Sequence, residues 1–265
     1  MKYTILCSDL DGTLLTTKSD VSKITISEIK RIKNKTQIIL VSARMPKAMR
    51  YVQKDLGILH EPIICYNGAL ILEDNKEISS TIITISQLEL IYTLAKKHQI
   101  KLGLYYKDEW YVEKDSERVQ KEKKHTKVDP VFKNIDTVLK EWKKKNAGAH
   151  KVMLMGTKES ADIAFSQLQQ TLSKELNIYR SNDTLIELAP KSVSKLSAIK
   201  ELLKKNDTLK NVISFGDNYN DINMLQHTGC GVAVGNAREE VKRIASVTTL
   251  KNTEDGVAHY IKQHL

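Results

Sequence analysis

The chain has 265 residues, 41% of them hydrophobic, and a formal charge of +10 at pH 7. Length and apolar share suit one large or two ordinary domains with a buried core, which excludes a disordered or low-complexity chain. No run approaches the about 18 apolar residues of a membrane span, and the apolar run that starts at Tyr3 meets Asp9 too soon for a signal peptide.

The lysines are scattered and interleaved with Glu and Asp, even in the dense stretches "RVQKEKKHTK" and "EWKKKNAG". These read as solvated helix faces, so no nucleic-acid partner is expected. Excess positive charge also suits the steering of small anionic substrates. Cys7, Cys65 and Cys230 are far apart, odd in number and outside any CxxC pair. A reduced, cytoplasmic setting is the expectation.

In chain order, "YTILCSD" reads as a short apolar strand. "SKITISEIKRIKN" reads as a helix with Ser22 as N-cap and Ile24, Ile29 and Ile32 inward. "QIILVSA" is a second strand. "MPKAMRYVQKDLG" is a helix opened near Pro46 and closed at Gly57. "PIICYNGALILE" is a strand and hairpin turning at Asn67-Gly68. The middle changes character. "SQLELIYTLAKKHQ" aligns Leu88, Ile91, Tyr92 and Ala95 on one helix face. "IKLGLYYKDEWYVE" reads as an aromatic-rich hairpin, with Tyr105, Tyr106, Trp110 and Tyr111 as its core and cross-strand pairs. A charged helix, strand "KVMLMG", helix "ADIAFSQLQQTLSKEL" and the strand pair "NIYRSN" and "TLIELAP" follow. The first rhythm then resumes with helix "SKLSAIKELLKKN", strand "NVISFGD", helix "DINMLQHTG" and strand "GCGVAVG", closing in two helices. Continuous apolar strands between amphipathic helices predict an α/β fold, a Rossmann-like and mostly parallel sheet. The antiparallel α+β middle predicts an inserted domain over 85–188 within a core of 1–84 and 189–265.

Ligands of an open parallel sheet bind at the carboxyl ends of its strands. Four polar clusters are expected there: "SDLDGT" (Asp9, Asp11), "SAR" (Ser42, Ala43, Arg44), Lys195, and "GDNYND" (Asp217, Asn220, Asp221). Four carboxylates beside one lysine repel one another unless a divalent cation joins them. Oxygen donors without His or Cys favour Mg²⁺ over Zn²⁺. A lysine, a hydroxyl and loop N–H groups beside that cation fit a phosphoryl dianion, whose repulsion of an anionic nucleophile they offset. A calcium loop is the bland reading of "DLDG". It fails because Asp20 stands where the twelfth-position Glu is needed, and no Gly stands at the sixth position.

"DLDGTL", "SAR", "SK" and "GDNYNDINML", in that order around an inserted α/β domain, resemble the haloacid dehalogenase superfamily, and within it the Cof-type phosphatases with a large C2-type cap. "ICYNGALI", "GVAVGNA" and "TEDGVA" resemble the same group. The resemblance implies a phosphatase of small phosphorylated metabolites working through an aspartyl-phosphate. Asp9 would be its nucleophile. Asp11 would be its general acid and base, with a pKa raised by burial or neighbouring charge. It implies phosphate binding by Ser42, the N–H groups of Leu10 and Ala43, Lys195 and Asn220, and Mg²⁺ binding by Asp9, the Asp11 carbonyl, Asp217 and, indirectly, Asp221. The Leu10 side chain is expected in the core.

Three departures stand out: Ala43 where Gly is usual, Leu196 where another Gly usually follows the lysine, and Ser8 in an otherwise apolar strand. A cap closing on hinges near 83–87 and 187–191 is expected, with Arg180 beside Tyr179 and Ser181 as candidate specificity residues. A dehalogenase would not need Asp11. A mutase of this type places a small cap after the first motif, where this chain has room for one helix only. A scaffold that only senses phosphate would show a damaged catalytic set. The expected partner is a small phosphorylated metabolite, without nucleic acid or membrane, for a monomer or weak homo-oligomer.

Overall fold

The structure is a computed structural model that describes residues 3–16 and 20–265. Five strands come first: β1 (Ile5–Ser8), β2 (Gln37–Val41), β3 (Ile63–Cys65), β4 (Leu70–Glu73) and β5 (Lys76–Ser80). The next six are β6 (Lys101–Tyr106), β7 (Glu109–Val112), β8 (Val131–Phe132), β9 (Lys151–Met155), β10 (Leu176–Asn182) and β11 (Leu185–Pro190). Last come β12 (Val212–Gly216), β13 (Cys230–Ala233) and β14 (Val247–Thr248). The chain divides into two compact units: residues up to Ser79 with Ser194–Leu265, and Ser80–Val193. These crossings lie five residues outside the expected 85–188 on each side.

The first unit is one sheet in the order β14, β13, β12, β1, β2, β3, β4, β5. Strands β14 through β3 pair in parallel, and β4 turns back antiparallel on β3. β1 lies between β12 and β2, so Ser8 is level with Phe215 on one side and Leu40 on the other. The motifs that follow β12, β1 and β2 therefore end side by side.

Both faces of the central strands β13, β12, β1, β2 and β3 are dry, as their unbroken apolar runs predict, while the edge strands β14 and β5 are largely exposed. Ile5, Cys7, Ile39, Val41 and Ile64 pack on Ala198 and Ile199 of α7 (Lys195–Leu202) and Met224 of α8 (Ile222–His227). Leu6, Ile38 and Leu40 alternate to the other face and are equally buried. α1 (Lys23–Ile32) packs on α2 (Lys47–Leu56) and on α10 (Gly256–His264). Ser22 caps α1, its hydroxyl accepting from Thr25 N at 3.0 Å. One inward position differs from expectation: Ile24 is 58% exposed, while Thr25 is buried with Ile29 and Ile32. The helix starts at Lys23, and the i, i+4, i+7 stripe that ends at Ile32 begins at Thr25.

The second unit is a six-stranded sheet in the order β10, β11, β9, β6, β7, β8, antiparallel except at β7–β8. α3 (Ile85–Lys97), α5 (Ile135–Lys144) and α6 (Lys158–Leu172) share one core with it, built from Leu88, Ile91, Ala95, Trp142, Val152 and Leu168. Tyr92 is only partly buried and packs at the edge of that core. The aromatic hairpin is core, as its pattern predicts. Tyr105 stacks on Trp110, its cross-strand partner, at 5.5 Å. Tyr106 and Tyr111 both pack against Trp142. The lysine-rich stretch is the solvated helix α4 (Glu117–Thr126), burying only Val119 and Thr126.

Candidate active site

Asp9 leaves the end of β1, its N–H donating to Phe215 C=O of β12 at 3.1 Å. The chain then makes a wide turn closed by Leu14 N–H to Asp9 C=O and Leu15 N–H to Leu10 C=O. Leu10 and Leu14 are buried and pin the turn from below. Ser8, polar within an apolar strand, is satisfied locally: its hydroxyl donates to Asp9 C=O at 2.8 Å. Gly12 is required twice over. Its φ is +82°, and a Cβ there would lie 2.5 Å from Asp217 Oδ2. The absent side chain is what lets the Asp217 carboxylate approach the turn, where Thr13 Oγ1 donates to its Oδ1 at 3.2 Å.

Three of the four clusters follow strands of the parallel sheet, β1, β2 and β12. The fourth does not. Lys195 follows β11, an antiparallel strand of the other sheet, and reaches the site as the first residue of α7. Ser194 caps that helix, sharing reciprocal bonds with Ser197. A cation gains nothing from a helix N-terminus; carboxylates hold this one. Lys195 Nζ donates to Asp9 Oδ1 and to Asp221 Oδ1, each at 2.6 Å, and its side chain is 0% exposed. Burial alone would push the ammonium's pKa down, but Asp221 and Asp9 outweigh it and the pKa rises. The other oxygen of Asp221 accepts from Asp217 N at 3.0 Å and Asn218 N at 3.1 Å. Both oxygens of Asp221 are thus engaged, and it acts as the brace between the lysine and the β12 loop.

Asp9, Asp217 and Asp221 each bring a carboxylate oxygen within 4.8 Å of the other two. One ammonium cannot balance three carboxylates, two of them buried and Asp217 half-buried. Burial, with Asp221 and Asp217 adding to it against the pull of Lys195, pushes Asp9 up to about 8. Burial and then Asp221 push Asp217 up to about 6. An all-oxygen donor set with a surplus of negative charge fits a hard divalent cation. Asp9 and Asp217 would hold it, beside the Asp11 carbonyl of the same turn.

Both shifted values lie above the ordinary 3.8, so the metal-free protein takes up protons on folding. The stability these groups contribute is full below 3.8 and is lost as pH rises, through about 6 for Asp217 and about 8 for Asp9. A bound cation competes with those protons. The stabilisation on adding a divalent cation, read as a rise in melting temperature, should therefore grow from about pH 5 to about pH 9, and amounts to about 2.7 kcal/mol where the cation stands at a hundredfold excess over Kd. Scanning fluorimetry across that range checks it; a shift that is flat or shrinks with pH contradicts it.

The second-strand cluster is in place. Ser42 is buried and its Oγ accepts from Arg44 N at 3.2 Å, with Ala43 half-buried between them. Leu196, a second departure from the family pattern, turns its side chain into the protein and is only 8% exposed. Asn220 lies on the exposed rim and donates to Asn67 Oδ1. Asp11 pairs with the arginine of the second-strand cluster. Its side chain is 45% exposed, and Arg44 grips it with Nη2 at 2.7 Å and Nε at 2.8 Å. Arg44 itself is buried, with Nη1 donating to Tyr51 OH at 2.8 Å and to Ala48 C=O. The three-residue motif hid this role; a buried arginine beside a phosphate motif needs a carboxylate partner, and that need was the available signal.

Arg180, the candidate specificity residue, lies on β10. Its guanidinium is engaged inside the second unit, on Asn182 C=O at 2.9 Å, Asp183 C=O at 2.5 Å and the Asp162 carboxylate at 2.8 Å. The β10 strand is irregular between Arg180 and Asn182, and the arginine brackets that turn rather than presenting a free cation.

An acid-bearing turn after the central parallel strand, a lysine between two acids, and a second acid loop on the neighbouring strand fit a hydrolase of the haloacid dehalogenase type. The chain belongs to the haloacid dehalogenase-like hydrolase family, which matches residues 6–261, and it is a phosphatase. A Haemophilus influenzae protein with a provisional phosphatase name is 34% identical, over 99% of this chain and 98% of its own. The pyridoxal phosphate phosphatase of Escherichia coli is 26% identical over the full length of both chains. The crystal structure of a haloacid dehalogenase-like hydrolase from Bacteroides thetaiotaomicron superposes with a TM-score of 0.90 at 28% identity, covering 100% of each chain.

Proposed function

We propose that the chain is a Mg²⁺-dependent phosphatase of small phosphorylated metabolites, sugar phosphates or related phosphomonoesters, working through an aspartyl-phosphate, an acyl phosphate formed on Asp9. The carrying observation is the buried cluster in which Lys195 joins Asp9 to Asp221 while Asp217 stands within 4.8 Å. Names of relatives support the substrate class: one is a pyridoxal phosphate phosphatase, another a 5-amino-6-(5-phospho-D-ribitylamino)uracil phosphatase.

In this reading an Asp9 carboxylate oxygen attacks phosphorus and the bond to the leaving oxygen breaks. Asp11 gives that oxygen a proton. Water then attacks the aspartyl-phosphate, the bond to Asp9 breaks, inorganic phosphate leaves, and Asp11 takes the water's proton. Lys195, the Ser42 hydroxyl, Asn220 and the N–H groups of Leu10 and Ala43 hold the phosphoryl oxygens. Bound Mg²⁺ would neutralise charge between nucleophile and dianion. Arg44 holds Asp11 until substrate is bound, and its grip must loosen for the carboxyl to deliver a proton. The reading includes a cytoplasmic setting, a monomer or weak homo-oligomer, and neither nucleic acid nor membrane as partner. Among the described residues no helix is long and apolar enough to cross a membrane.

Turnover of p-nitrophenyl phosphate with Mg²⁺, lost with chelator and restored by Mg²⁺, is the expected result. A panel of phosphorylated metabolites then ranks substrates. Hydrolysis that ignores Mg²⁺, or none on any monoester, overturns the reading.

A further inference from the structure

The turn between β3 and β4 has no part in the chemistry above, yet it touches three of the loops that build the site. Tyr66 N–H donates to Arg44 C=O at 3.1 Å and Asn67 N–H to Ser42 C=O at 2.9 Å. Gly68, with φ +108°, lies so close to the entry of α7 that a Cβ would sit 2.4 Å from Ser194 O. Asn220 Nδ2 donates to Asn67 Oδ1 at 3.1 Å, across 153 residues of sequence. The turn is therefore registered against the phosphate hydroxyl, the lysine helix and the β12 loop together.

Asn67 holds a left-handed backbone, φ 55° and ψ 28°. Glycine would hold the same conformation with less strain. What asparagine adds is a side-chain carbonyl aimed at Asn220. An amide nitrogen carries two protons. The contact with Asn67 takes one and gives the other, together with the Asn220 carbonyl, a fixed direction. An exposed asparagine without that partner samples several rotamers, and ordering it on ligand binding lowers affinity.

We propose that Asn67 is a positioning residue that holds the Asn220 amide ready for a phosphoryl oxygen, so that the "YNG" turn is part of the phosphate-recognition apparatus. The inference rests on the phosphatase reading, with Asn220 as a phosphate donor.

The test is a double-mutant cycle on the Mg²⁺-loaded full chain, with Asn67→Gly and Asn220→Ala. Asn67→Gly keeps the left-handed turn and removes only the side chain. The readouts are the inhibition constant of inorganic phosphate, KM against kcat, and the melting temperature. Asn67→Gly should weaken phosphate about tenfold, the effect of one hydrogen bond to a charged group, with KM rising more than kcat falls. In the Asn220→Ala background it should weaken phosphate no further. An unchanged inhibition constant in Asn67→Gly overturns the proposal, and so do additive effects, which would mean that Asn67 acts by itself. If Asn220→Ala leaves phosphate binding intact while the wild type turns over, the inference falls with its premise about Asn220. If the wild type shows no Mg²⁺-dependent turnover, the phosphatase reading has failed instead.

Discussion

Asp9→Asn is expected to lower turnover of p-nitrophenyl phosphate by about 10⁴-fold or more, the scale on which loss of a nucleophile registers in covalent catalysis. The amide keeps the shape of the carboxylate and one oxygen for Lys195 Nζ, which also retains Asp221 at 2.6 Å. It cannot attack phosphorus as an anion. The fold should survive, and above neutral pH without metal it should gain stability. Asp9 is only 5% exposed, and its charged form is disfavoured by burial and by Asp221 and Asp217. Removing the charge removes that penalty. Steady-state assays beside a melting curve separate the two effects. Retained turnover in a folded Asp9→Asn protein would move the nucleophile to another residue.

Lys195→Met carries the largest expected cost in stability. Methionine matches the length and volume of the lysine stem, so little packing is lost. What is lost is the cation between Asp9 and Asp221, at 5% and 0% exposure. Breaking a buried ion pair by removing one partner costs about 3–5 kcal/mol, because the remaining charge is left uncompensated. The contribution is present throughout neutral pH, since the folded ammonium's pKa lies above its ordinary 10.5 and the stability is lost only as pH rises beyond that value. Urea denaturation at pH 9, above the value of about 8 at Asp9, measures it with both carboxylates charged. Adding Asp9→Asn to Lys195→Met should recover part of the loss, since one of the two stranded charges is then gone. An unchanged denaturation midpoint in Lys195→Met would mean that the ammonium is not the counter-charge of this cluster.

Much of the sheet was legible in the chain because buried parallel strands are written as unbroken apolar runs. "ILCS", "QIILV" and "VISFG" could be little else, and each ends in a polar motif where the parallel sheet exposes its carboxyl edge. Asp9 and Asp217 were legible for the same reason. Lys195 was legible only in conjunction with the other three clusters: a lone lysine at a helix start after an antiparallel strand carries no local mark of burial. Arg44, Asn67 and Asp221 act through partners 33, 153 and 26 residues away, and such separations leave no trace in local pattern. The contacts of Arg180 were not legible, because a cation on an edge strand looks free until the carbonyls of its own turn are placed beside it. Ile24 misled because one residue of uncertainty in where a helix begins rotates its whole apolar stripe.

The position of β1 in its sheet has a consequence for biosynthesis. One flank of that strand pairs with β2 soon after it is made, but the other waits for β12, and the intervening stretch from Ser80 to Val193 is a complete compact unit of its own. At about 5–20 residues per second the ribosome leaves that flank open for on the order of 10 s. Throughout that interval the nascent chain shows an unpaired strand edge that ends in an acid without its counter-ion, a natural client for a holding chaperone.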